Sequence, residues 1–464
     1  MNFPSHDIVG TCLAFMIFPS LLVFPGYVIS WALNLFDFKR RHELTKHIIA
    51  MIVSLAVVPI LVYLLYLLTS FSIIKFTLAV FFIAYLLINV YGFKKERREK
   101  KLFLTAFGRY QKMAILIGVI WVIFSIISLV DIQWGTRLYN NVASMDFATR
   151  VTVINAITRT GVPPVNPSFF PGHVEYITSL YYFWYIICSI VDQFGGNFVD
   201  SRMALIAGDA WCGLVLMALI ALYIKLRNGI SGEKAWKTAV IGIGLLTISG
   251  LDVIPALINM IVTRLSYGFM WPAGDIEHWN EQITAWVGSL FWVPHHVAAM
   301  IVCLAGLIIF QYGSRELGYK KFLVALITGM AFASAVGLST WVAVTFSLFW
   351  SVWILILFLQ RKDYGTGILM IFSGLIALIF ASPFLSGVLV GGTGSSGLPF
   401  IVEVRRFDPV VPYIDWLSTI PENMVYFMLL PVNYLMELGF FFIVGLLWFQ
   451  QYRKKEIHIR LFLF

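Results

Sequence analysis

The sequence predicts an all-α, polytopic membrane protein, and three observations carry that prediction. Hydrophobic residues fill 60% of the 464 positions, charged residues only 12%, and the mean hydropathy is +0.86; soluble domains carry roughly 25% charged residues. Apolar runs of about 20 residues, enough to cross a ~30 Å hydrocarbon core as helix, recur along the whole chain. Short basic clusters separate them, as in loops retained on the cytoplasmic side. A soluble fold is thereby excluded. The formal charge of +9 reads as membrane topology, because no arginine-rich tail or nucleic-acid motif accompanies it, and no nucleic-acid partner is expected. Cys12, Cys188, Cys212 and Cys303 lie scattered in apolar segments without C-x-x-C spacing, so they read as packing residues.

Taken in order, the expected spans are 8–36, 47–69, 71–93, 111–131, 202–224, 238–251, 294–312, 322–338, 341–360, 365–385 and 424–449, about 11 transmembrane helices. The first lacks a basic region before it and reads as a retained helix, not a cleaved leader. Residues 1–110 form an expected N-terminal three-helix segment and 111–464 the main membrane core. Basic clusters at Lys39–Lys46, Lys94–Lys112, Lys225–Lys237, Arg315–Lys321, Arg361/Lys362 and Arg453–Arg460 should be cytoplasmic. That parity puts the N-terminus outside, the C-terminus inside, and the long segments 132–201, 252–293 and 386–423 on the outer side. It also requires the apolar stretch 176–195 to remain at the outer face without crossing. Ile457–Phe464 reads as the opening of a further apolar segment.

The cations sort unevenly on this map. Of the 33, 25 fall inside, Lys75 lies near the outer end of the third span, and the seven in outer loops (Arg137, Arg150, Arg159, Arg202, Arg264, Arg405 and Arg406) are all arginine. A planar guanidinium pairs bidentately with phosphate or carboxylate; general exclusion of positive charge from translocated loops is the plainer reading. Within the spans, Asp209 and Glu437 each stand sixteen residues before a cytoplasmic basic anchor, about 24 Å up the helix at 1.5 Å per residue. Buried carboxylates are costly there and should face a cavity or a polar partner.

The first outer loop holds the densest chemistry. Ser144 suits an N-cap, Asp146 the first turn, and Gly161 with Pro163 and Pro164 a helix stop. Asp146 and Arg150 then share a face at i, i+4. A proline-rich turn through Asn166, Pro167, Pro171, Gly172 and His173 leads to the aromatic run Tyr181–Tyr185, suited to a membrane interface. In the second loop, Asp275-Ile-Glu277 with His278, Glu281, His295 and His296 leaves a divalent metal conceivable. No metal-ligand spacing is present, however, and solvated charge or contacts to sugar hydroxyls fit as well. Trp271, Trp279, Trp286 and Trp292 offer flat apolar faces or interfacial anchors.

These features together resemble the GT-C superfamily of integral-membrane glycosyltransferases, nearest to a poorly characterised bacterial subgroup. The likeness rests on a membrane helix ending in Asp131, the outer Asp146 on a short helix, the Pro-Pro-Val-Asn-Pro turn from Pro163 and the Tyr-rich half-inserted helix. It extends to GLDVIP (250–255), DIEHWNEQ (275–282), FWVPHH (291–296) and PVNYLMELGFFF (431–442). The resemblance implies a GT-C-like core with outer juxtamembrane helices in the plasma (inner) membrane. Its implied activity is inverting transfer of a sugar from a polyprenyl-phosphate donor to a lipid, glycan or protein acceptor, with no required cofactor. Asp146 is then the expected general base, and Arg150, Arg159, His173, Asp275, Glu277, His295, Arg405 and Arg406 the expected substrate-binding residues. The family often shows two acidic residues here, whereas Asp146 stands alone, leaving Asp131, Glu175 or a second-loop acid as possible assistants. A transporter or flippase of lipid-linked or amphipathic solutes, using Asp209 and Glu437, and a non-catalytic membrane scaffold are the competing readings.

Overall fold

A computed structural model of the chain describes residues 3–96, 107–168, 176–177, 181–226, 232–248, 250–251, 254, 261, 265, 286–314, 318–391 and 420–453. Its helices are α1 (Phe3–Ile17), α2 (Pro19–Leu22), α3 (Phe24–Leu33), α4 (Glu43–Leu68), α5 (Phe71–Glu96) and α6 (Arg109–Leu129). A small hairpin, β1 (Ile132–Trp134) and β2 (Arg137–Tyr139), precedes α7 (Ser144–Thr160), α8 (Phe183–Gly195), α9 (Ser201–Leu226) and α10 (Gly232–Gly244). Then come α11 (Trp286–Trp292), α12 (Pro294–Gly313), α13 (Tyr319–Leu338), α14 (Thr340–Ile356), α15 (Tyr364–Gly391), α16 (Glu422–Leu438) and α17 (Phe440–Arg453). Nine helical segments among the described residues are long and apolar enough to cross a membrane, and the chain is a polytopic helical membrane protein.

Two expected spans are corrected. Among the described residues of 238–251, the 13-residue α10 ends at Gly244 and a tight turn follows at Leu245–Thr247, so no single helix long enough to cross is formed there; Gly242 and Gly244 weaken a helix that would run further. The span expected at 424–449 is broken: α16 and α17 meet at 109° about Gly439. Gly439 has φ +45°, and a Cβ there would lie 2.9 Å from the Leu251 amide nitrogen, so only glycine fits this bend. The hairpin and an isolated antiparallel bridge between Val165 and Tyr176 are the β features among the described residues. The hairpin pairs Ile132 with Tyr139 and Trp134 with Arg137, and Asp131 Oδ1 closes it by accepting from the Asn141 amide (2.9 Å).

Contacts group the chain into two units, Met1–Gly242 with Leu290–Ser395, and Ile243–Ser289 with Ser396–Phe464. In the first unit α4 lies at the centre, buried over most of its length against α3, α8, α9, α12 and α13. Two small-residue devices allow that closeness. Gly26 of α3 donates its N–H to Ser54 Oγ (2.7 Å). Pro59 interrupts the hydrogen-bond ladder of α4, and Ser334 Oγ of α13 bridges beside it, donating to Ala56 O (2.8 Å) and accepting from the Ile60 amide (3.2 Å). On the periphery, Leu87, Ile127, Leu348 and Ile379 are exposed, a face suited to lipid.

Ion pairs and hydrogen bonds show which helix ends share a face. Arg202 at the start of α9 pairs with Asp131 beyond the end of α6 (2.7 Å) and with Asp7 near the start of α1 (3.7 Å). Away from that face, Lys225 at the end of α9 donates to Thr45 at the start of α4 (2.7 Å), and the Tyr110 amide at the start of α6 donates to Glu233 at the start of α10 (3.1 Å). Residues 131 and 202 therefore lie at the same end, so the stretch between them makes no net crossing. The 13 residues of α8 give about 20 Å of helix at 1.5 Å per residue, too short to span, as parity required.

Candidate functional site

α7 carries Phe147, Arg150, Val153, Ile154 and Ile157 along one buried stripe, packed against α8 and α9. Spacing of three and four residues keeps these side chains on one helical face, so the arginine is drawn inward with its apolar neighbours. The far end of α7 is fastened by Thr158 Oγ1, which donates to Asp192 Oδ2 (3.0 Å) and contacts Ser189 Oγ (3.1 Å) on α8. Burial holds the Asp192 carboxyl above its usual range, although hydrogen bonds from Ser201 and Thr158 act in the opposite direction. The helix begins as expected at Ser144, but Ala143 is the N-cap residue and has no side-chain capping bond. Asn141 Oδ1 instead accepts from the Ala143 amide (3.0 Å), an Asx turn leading into the helix.

Asp146, with its side chain 51% exposed, sits one turn from the buried Arg150 and pairs through Oδ2 with Nη2 (3.3 Å). The indole N–H of Trp292 donates to the same oxygen. Oδ1 has no such partner among the described residues, and Arg150 Nη1 is buried without one. Trp292 reaches the carboxylate because its neighbour Phe291 stacks on Trp121 of α6 (5.5 Å between centroids). Cys212 Sγ of α9 also donates to Pro294 O at the start of α12 (3.3 Å).

Behind the pair lies an aromatic and histidine wall. Tyr185 OH shares a hydrogen bond with His295 Nδ1 (3.3 Å), Tyr181 OH with His296 Nε2 (3.4 Å), and His296 Nδ1 with Ser339 Oγ (2.8 Å). Tyr181 stacks on His295 at 5.0 Å. Burial raises the pKa of both tyrosines, with the Arg150 charge pulling the other way, and in Tyr185 the shift is large. Both phenols therefore stay protonated near neutral pH and available as donors. Asp209 of α9, fully buried, also feels the Arg150 charge.

The structure thus brings together three of the residues singled out from sequence: Asp146, Arg150 and His295. Arg159 is exposed at the opposite end of α7, about 14 Å along the axis from Arg150 at 1.5 Å per residue. Arg202 is engaged by Asp7 and Asp131. Of the described outer-loop arginines, only Arg150 pairs with Asp146. Arg264, Arg405, Arg406, His173, Glu175, Asp275 and Glu277 lie outside the described residues. Among the described residues no group of three potential metal ligands converges. The residues missed as partners are Trp292, Tyr181, Tyr185 and Ser339.

The fold and this site define a polytopic α-helical membrane protein with a fixed carboxylate–arginine pair at one end of its helix bundle. Comparisons with protein-family models, with curated proteins and with solved structures each find no match to the chain.

Proposed function

We propose that this protein is an outer-face, inverting glycosyltransferase that moves a sugar from a polyprenyl-phosphate carrier to an acceptor hydroxyl. The observation that carries the reading is the Asp146–Arg150 arrangement: a half-exposed carboxylate held through one oxygen, beside a buried guanidinium with one amino group that has no partner among the described residues. The reaction needs these two functions. The acceptor oxygen attacks the anomeric carbon as the bond from that carbon to the carrier phosphate breaks, and the phosphate departs as an anion without needing a proton. The hydroxyl proton passes to Asp146, whose Oδ1 has no partner among the described residues. Arg150 offsets the negative charge gathering on the departing phosphate, a role in which preorganised charge is effective. Trp292 and Arg150 both grip Oδ2, which limits rotation of the carboxylate and keeps Oδ1 aimed at the acceptor.

The test uses the purified full chain in lipid nanodiscs with polyprenyl-phosphate hexoses as donors and a panel of lipid and glycan acceptors, scoring release of the carrier phosphate. Wild type should release it, and Asp146→Asn should retain fold while losing the ~10²- to 10⁴-fold typical of general-base removal. Near-normal turnover in the Asn variant would sink the base assignment. No release by wild type with any donor would sink the reaction.

A further inference from the structure

Four buried polar atoms on three mutually packed helices lack a hydrogen-bond partner among the described residues: Arg150 Nη1 on α7, Trp184 Nε1 on α8, and both carboxylate oxygens of Asp209 on α9. Folded interiors rarely leave such groups unpaired, because each has given up its hydration. Asp209 is 0% exposed. The Trp184 indole neighbours its carboxylate without a bond of hydrogen-bonding geometry, and Arg150, on a helix packed against α9, is a cation whose charge acts on it. Tyr185 lies within the field of both charges while bonded to His295.

A carboxylate at this depth without a counter-ion is unfavourable, and so is a buried guanidinium whose one paired anion among the described residues is half in water. Each is the remedy for the other. With Nη2 paired to Asp146, Nη1 is the buried amino group that has no partner among the described residues. We infer that Asp209 is the buried counter-ion of Arg150, a positioning residue that keeps the guanidinium in place from behind while Asp146 holds it in front. The consequence follows from charge. When Asp146 takes up a proton its hold on Arg150 weakens, and a second, sheltered anion keeps the arginine where a phosphate would meet it. The anion named here rests on the glycosyltransferase reading; the pairing of Asp209 with Arg150 does not.

The test therefore has two arms, both on the purified full chain. The first is a double-mutant cycle in thermal unfolding with no ligand present, using Asp209→Asn, Arg150→Gln and the double variant. Each single change leaves one buried charge alone and should lower the midpoint by several degrees, whereas the double variant should be no worse than the poorer single one, a non-additive result. Additive losses, or an Asp209→Asn protein as stable as wild type, would overturn the pairing. If neither single variant folds, Asp209→Glu decides: recovery with Glu and not with Asn supports a required charge, and equal loss in both overturns it. The second arm measures binding of farnesyl phosphate in nanodiscs. Asp209→Asn should weaken it about tenfold, the equivalent of one pairwise coupling of ordinary size, with Asp209→Glu restoring part. Unchanged binding in Asp209→Asn would overturn the positioning role. Wild type that fails to bind farnesyl phosphate while the cycle is non-additive would retain Asp209 as counter-ion and remove the phosphate reading.

Discussion

Replacing Gly337 by alanine should destabilise the protein through a single methyl group. A Cβ at Gly337 of α13 would lie 2.3 Å from two ring carbons of Phe183, the first residue of α8. Ordinary carbon contacts settle at about 3.5–4.0 Å, so the ring or the helix must retreat by more than ~1 Å. The ring has little room to do so: it is fully buried, stacked on Tyr63 at 4.5 Å and edge-on to Phe384 at 5.2 Å. Overpacking of this kind costs about 1–3 kcal/mol, and a contact this short with boxed-in neighbours belongs at the upper end. Alanine returns up to ~1 kcal/mol of helix propensity, but less at the penultimate position of α13, where the helix is ending. The net expectation is a loss of about 2 kcal/mol. The assay is the thermal midpoint of the purified protein in detergent, followed by intrinsic tryptophan fluorescence. Combining Gly337→Ala with Phe183→Leu should recover part of the loss, since a smaller side chain leaves space for the methyl. Gly337→Ala protein as stable as wild type would refute the close approach of α8 and α13, and with it the account of how Tyr181 and Tyr185 are held against the histidines.

Two further outcomes are expected. Asp192 should make stability depend on pH: its folded pKa is raised by burial, so its contribution is complete below the unfolded value of about 3.9 and is lost as pH rises through the folded value. Asp192→Asn should accordingly gain midpoint relative to wild type between about pH 4 and 7, and a pH-independent difference would count against a perturbed carboxyl. For topology, cysteines introduced at Leu138 and Lys39, both exposed and at opposite ends of the helix bundle, should react with an impermeant maleimide from opposite sides of sealed vesicles; labelling from one side would overturn the arrangement of helix ends.

Much of this was legible in the chain because it depends on local spacing. Apolar length located nine of the spans, the four-residue interval predicted the Asp146–Arg150 contact, and Gly161 ended α7 where expected. Parity of the basic clusters kept α8 from crossing. The misses arise where local and distant terms compete. Residues 238–251 are apolar enough to suggest a span but carry glycines where the helix would have to continue, and 424–449 conceals the bend at Gly439 within a continuous apolar run. Arg150 was readable as the partner of Asp146, yet its burial follows from the stripe Phe147, Ile154 and Ile157, and charge alone suggested a solvent-facing residue. Trp292 could not be assigned to Asp146 from sequence, since 146 residues separate the two and they meet through packing of distant segments such as the seating of Phe291 on Trp121.

The ten consecutive buried residues of α8, Phe183 to Asp192, impose an order on how the protein is made. A helix too short to span has no place of its own in the bilayer and acquires one only when its neighbours arrive. α4 is synthesised before it, but α9 follows and the Gly337 surface that covers Phe183 emerges roughly 150 residues later. At ~5–20 residues per second that is an interval on the order of 10–30 s. Throughout it, an aromatic segment must wait at the membrane surface with part of its cover missing. His295, His296 and Ser339, which complete the wall around Tyr181 and Tyr185, arrive within the same stretch of chain. The site is therefore a late product of biogenesis, and a ribosome stalled before residue 340 leaves a nascent chain with most of its membrane anchors but no finished centre.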